Sequence, residues 1–139
     1  MTITRLDPPG LHAVPGLISQ IVTVTEQTLI HLSGQVAWDE HGTPVSPGDH
    51  AGQAAQIARN IDIALAAAGA TRTDIVKETI YVVAYTTDLL RPILGALRDG
   101  HQPPPASTFI GVAALFAPDF LIEVDIVAAV TRPAPGVVD

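Results

Sequence analysis

The chain has 139 residues, 47% of them apolar, enough for one globular domain with a core of its own and no covalent staples. Fourteen Asp and Glu against seven Lys and Arg give a net charge of −7, and the cations Arg5, Arg59, Arg72, Lys77, Arg91, Arg98 and Arg132 are scattered, so no basic stripe is offered to nucleic acid. The absence of cysteine excludes disulfides, thiolate chemistry and Cys-based zinc sites, and no apolar run reaches the roughly 18 residues of a membrane helix.

Residues 1–16 lack the basic start and apolar stretch of a signal peptide, and a soluble, cytoplasmic protein is expected. The first strand is a short edge strand stopped by Pro8, Pro9 and Gly10. β-Branched residues mark strands over 18–25 and 28–33, and Glu26 and Gln27 between them predict a hairpin. Gly, Pro and Asp make "WDEHGTPVSPGD" a loop, ending on Asp49 as an N-cap. From His50 to Ala68 the apolar residues Ala54, Ile57, Ile61, Ala64, Leu65 and Ala68 recur at helical spacing, with Gln53, Gln56, Arg59 and Asn60 elsewhere and Gly69 as the stop. Residues 75–85 return to strand. A second helix starts at Thr87 or Asp88, tolerates Pro92 in its first turn, and runs to about Gly100. Pro103, Pro104 and Pro105 force an extended lead into strands over 107–115 and 120–130, and 131–139 reads as a flexible tail of a single domain spanning 1–139.

The order is βββαβαββ, an α+β arrangement with two helices on one face of a mixed sheet. Alternation assigns Ile122, Val124, Ile126, Ala128 and Val130, with Thr108, Ile110, Val112 and Ala114, to the helix-covered face. The opposite face then carries Ser107, Phe109 and Gly111 beside Leu121, Glu123, Asp125 and Val127, and it is apolar enough to need a second subunit.

On that face Glu123 is flanked by Leu121 and Val127. Desolvation there raises a carboxyl's pKa toward values useful in general acid or base work, and Asp125, roughly 7 Å along the strand, adds repulsion. The other reading makes both carboxylates rim groups paired with a neighbouring chain's cations. In "HLSGQVAWDEHG", Gly34 permits close backbone approach, so its amide and the Ser33 hydroxyl could hold a ligand oxygen; the alternative is a strand bulge, with Gln35 tying the loop. The five histidines show no metal-binding spacing, no phosphate-cradling or dinucleotide glycine motif is present, Asn60 is placed to bond a loop, and Trp38 to pack one.

Together, "SQIV", "LIHLSGQVAWDEHG", "QAAQIARNIDIALAAAGA", "DIVKETIYV", "PASTFIGVAAL" and "LIEVDIVAAV" resemble, in order, the RidA/YjgF family of enamine and imine deaminases over residues 18–130. The resemblance implies a chorismate-mutase-like fold, a homotrimer with ligand sites in clefts between subunits, and neither metal nor organic cofactor. It matches the family's water-handling glutamate to Glu123 and its "SGQ" serine to Ser33. The carboxylate-binding arginine of the family falls on Ser107, a tyrosine on Ile18, and a small residue on Phe109. A serine cannot form the bidentate pair a guanidinium makes with a carboxylate, and Ile18 and Phe109 make the cleft greasier and fuller, so a larger and less anionic substrate is expected. The expected activity is water addition to, or proton transfer on, an imine, enamine or related carbonyl-conjugated compound in a catabolic or biosynthetic pathway. Glu123 acts as acid or base, and Ile18, Ser33, Gly34, Ser107 and Phe109 line the substrate. The competing readings are a non-catalytic ligand-binding trimer, and an ordinary 2-imino acid deaminase in which another cation, such as Arg91, replaces the arginine.

Overall fold

The two segments with the strictest apolar alternation become the middle of the sheet. In the computed structural model, which describes residues 2–98 and 102–131, the strands are β1 (Thr2–Leu6), β2 (Ile21–Thr25), β3 (Thr28–Val36), β4 (Ile75–Val83), β5 (Ala106–Val112) and β6 (Ile122–Val130). The helices are α1 (His50–Ala67) and α2 (Leu90–Leu97). The main sheet has the order β3-β6-β4-β5, with β4 and β5 parallel and the other pairs antiparallel. The order βββαβαββ and the mixed sheet agree with the sequence reading. The predicted helix end at Gly100, His101 and the tail beyond Thr131 lie outside the described residues.

Helix α1 begins at Asp49, whose carboxylate accepts the Gly52 amide at 3.1 Å. It ends where Gly69 adopts φ +76°, with Gly69 N–H donating to the Ala66 carbonyl and Ala70 N–H to that of Leu65, the paired bonds that left-handed glycine permits. The stripe Ala54, Ile57, Ala58, Ile61 and Leu65 packs with Ile93, Leu94 and Leu97 of α2 onto Ile80, Val82, Ile122, Val124, Ile126 and Ala128. Both helices thus cover one face of the sheet. Each fully buried Ile or Leu there contributes about 1.5–3 kcal/mol of transfer free energy.

Gln53 is a departure from the amphipathic pattern. Its side chain is fully buried, and its amide donates to the Ser46 and Asp119 carbonyls and accepts the Leu121 N–H, tying the α1 start to two loops. Burial is tolerated because the amide is satisfied at both ends.

Three further expectations are corrected. The β2–β3 hairpin does not form: β2 pairs with β1 in a separate two-stranded sheet, and β3 pairs with β6. Alternation marks each segment as strand and leaves the partner undetermined. The second helix opens as a 3-10 turn, Thr87–Leu89, before α2 proper, and Arg98 is already extended. Most consequentially, the faces of β5 are the reverse of the expected ones. Parallel pairing sets Ser107 opposite Glu78, Phe109 opposite Ile80 and Gly111 opposite Val82, all in phase with the core, whereas Thr108 and Ile110 fall opposite Thr79 and Tyr81 on the uncovered side. Both faces of β5 carry apolar residues of similar bulk, so periodicity had no basis for a choice.

Candidate functional site

The sequence-predicted residues gather in two groups on opposite sides of the main sheet. The first is built on β3 and β6. The ladder between them slips between Leu32 and Gln35, so Ser33 and Gly34 form a bulge, held by the Gln35 side-chain amide on the Ser33 carbonyl at 2.9 Å. Glu123 lies against this bulge: a Cβ added to Gly34 would stand 2.0 Å from Glu123 Oε2. The bulge and the close approach, alternatives in the sequence, are therefore one feature.

Burial first, and the Asp125 charge second, push the Glu123 carboxyl above its ordinary value. Asp125 itself accepts the Tyr81 hydroxyl at 3.3 Å, and Tyr81 stands directly across the ladder from Glu123. Burial, followed by Asp125, raises the Tyr81 phenol as well. A carboxyl with raised pKa on a sheet face, beside a bulge that exposes backbone, is suited to exchanging a proton with a bound molecule.

The second group sits at the β5 edge. The backbone of Ser19 donates to the Pro105 carbonyl at 2.9 Å and its hydroxyl to that of Pro104 at 2.5 Å, so the segment carrying Ile18 runs beside the lead into β5. Ser107 Oγ donates to Glu78 Oε2 at 2.6 Å. Glu78 is 2% exposed and is paired with Arg98, whose Nη1 reaches Oε1 at 2.8 Å and whose Nη2 bonds Oε2. The same guanidinium donates through Nε and Nη2 to the Leu17 carbonyl at 3.1 and 2.8 Å. Phe109 packs edge-on against Tyr85, ring centroids 5.2 Å apart, over the core.

Glu78 and Arg98 were missed in the sequence. The signal was present: Glu78 is in phase with Ile80 and Val82, and a charge on the core side of a strand requires a buried partner. Arg91, considered as a substitute cation, is exposed at the start of α2, and the guanidinium beside Ser107 is that of Arg98.

Other polar residues are structural. Asn60 donates to the Val36 and Trp38 carbonyls at 3.1 and 2.9 Å. Trp38 packs edge-on against Phe116 and Phe120. Among the described residues no group of three or more His, Cys, Asp or Glu is placed to hold a metal ion, and no helix is long and apolar enough to cross a membrane.

Comparison with known structures agrees with this architecture. The Rid-family protein YyfB of Yersinia pestis, of unknown function, is 32% identical, with 94% of this chain and all of that one covered and a TM-score of 0.86. YyfA of the same organism is 25% identical over 93% of this chain and all of that one, TM-score 0.65. Rv2704 of Mycobacterium tuberculosis, of the YjgF/YER057c/UK114 family, is 26% identical over 93% of this chain and all of its own, TM-score 0.59. No curated protein sequence matches the chain. Residues 15–130 match the family model described as Endoribonuclease L-PSP, and with its chorismate-mutase-like fold the chain belongs to the RidA/YjgF family.

Proposed function

We propose that the protein hydrolyses an imine or enamine, or a related carbonyl-conjugated compound, in clefts between copies of the chain in a homotrimer. The observation that carries this reading is the Glu123 carboxyl held against the Gly34 bulge, with its pKa raised. One substrate cannot touch both groups of candidate residues in a single chain, because β4 and the thickness of the sheet separate them. A cleft between copies joins Ser33, Gly34 and Glu123 of one to Ile18, Ser107 and Phe109 of the next. The apolar side chains left exposed, among them Leu29 and Ile110, favour such assembly.

In the reaction, water adds to the C=N carbon while ionised Glu123 takes its proton. The carboxyl then returns that proton to nitrogen, giving a carbinolamine; the carboxylate next takes the carbinolamine hydroxyl proton and passes it to the amino nitrogen as the C–N bond breaks, and the products are a carbonyl compound and ammonia. An enamine first gains a proton at carbon from protonated Glu123. Bulge amides and the Ser33 hydroxyl orient the polar atoms. The net charge of −7 and the scattered cations argue against RNA as the substrate.

The test is ammonia release across a panel of imines, with wild type and Glu123→Gln. Turnover that falls about 10²- to 10⁴-fold in the folded variant supports the reading. Equal turnover by the two proteins overturns Glu123's role, and release of ammonia by neither favours a ligand-binding trimer.

A further inference from the structure

Ser107, Glu78 and Arg98 form one hydrogen-bonded unit beneath the β5 edge. Both Glu78 oxygens face the guanidinium, and the Leu17 carbonyl meets another edge of it, so the arginine's planar fork is turned inward onto the chain's own acceptors. Arg98 and Glu78 side chains are 8% and 2% exposed. Within this unit the cation is already matched by an anion. A carboxylate arriving at Ser107 would find a hydroxyl that donates to Glu78, with the Glu78 negative charge immediately behind it. An arginine placed at 107 would be caught by Glu78, which stands directly across the ladder.

We infer that Glu78 determines specificity in the proposed reaction: by occupying Arg98 from within, it sets the cleft beside Ser107 to receive an uncharged hydrogen-bond donor, such as a carboxamide, in place of a carboxylate. This rests on the imine-hydrolysis reading. Glu78 acts through Arg98 and Ser107 and is a positioning residue. Ser107 keeps its lone pairs for an N–H of the incoming group, while its own proton is held by Glu78.

The experiment compares two imines that differ only in charge, that of leucine, made in situ by an amino-acid oxidase with catalase, and that of leucinamide, made by N-chlorination and loss of HCl, in wild type, Glu78→Gln, Ser107→Arg and the double variant. Wild type should favour the amide by about 10-fold or more in kcat/KM, and Ser107→Arg should leave that ratio within about 3-fold. Glu78→Gln/Ser107→Arg should move the ratio toward the carboxylate by about 100-fold, because two guanidinium groups then lack their internal anion. A purely structural Glu78 would lower both substrates equally and leave the ratio fixed, which overturns the inference.

Calorimetry on wild type with the products, 4-methyl-2-oxopentanoate and its amide, gives a reading independent of turnover and of whether the variants fold. If wild type releases no ammonia from either imine yet binds the amide more tightly, the hydrolase reading fails and the specificity assignment stands. No preference for the amide in either assay, or a preference for the carboxylate, overturns it.

Discussion

Ser107 and Glu123 lie on opposite faces of the same sheet: Ser107 shares the core face with Glu78, and Glu123 stands across from Tyr81 on the other. The consequence for a shared site is testable by mixing. Ile18→Asp should spoil one half of the cleft and Glu123→Gln the other, leaving each protein inactive. Co-refolding the two in equal amounts should restore activity at about a quarter of the sites, the fraction of clefts that draw both halves from intact surfaces in a cyclic assembly. No recovery in mixed assemblies would place both residues in one copy's site, against the observed faces.

Light scattering at micromolar concentration should give three times the 14.5 kDa chain mass. A monomer at that concentration removes the cleft altogether.

Gly34→Ala should move the Glu123 carboxyl without unfolding the chain. The added methyl would stand 2.0 Å from Glu123 Oε2, 2.8 Å from Cδ and 3.0 Å from Cγ, so the Glu123 side chain must swing aside. Because it is the far end of a flexible side chain that yields, stability should change by about 1 kcal/mol or less. Misplacement of the proton-transfer group should lower kcat about 10- to 100-fold. Ammonia-release kinetics and urea melts separate the two effects.

Glu123→Gln should also reverse a pH-dependent penalty. The raised folded pKa means that the native state holds the Glu123 proton more tightly than the unfolded chain, so the contribution to stability is full below the ordinary value of 4.5 and is lost as pH rises through the folded pKa. The glutamine variant lacks that loss. Its Tm should match wild type at acid pH and exceed it at neutral pH. A constant difference across the range would mean that the carboxyl is not desolvated in the native assembly.

Gln53→Ala should destabilise the fold by about 1–3 kcal/mol, since it removes the side-chain partner of the Leu121 N–H and of the Asp119 carbonyl, and one of the two donors to the Ser46 carbonyl. Chemical denaturation measures the loss. Activity should fall through the 117–121 link into β6, and an equal loss in Gln53→Glu would show that the amide's two donors are needed.

The sequence by itself determined the elements and their order, because those follow from local periodicity and punctuation: the α1 stripe between Asp49 and Gly69, and the strict alternation from Ile122 to Val130. It also brought Gly34 and Glu123 forward as candidates. Tertiary structure decided everything that depends on pairing. Which strand β2 joins, and which face of β5 looks inward, are set by partners distant in the chain, and a one-residue choice of phase moves every side chain to the other side. Glu78 and Gln53 show the same limit from within the core: a polar residue in an apolar phase signals that a partner must exist, but only the fold brings Arg98, Ser107, Asp119 and Leu121 to meet them.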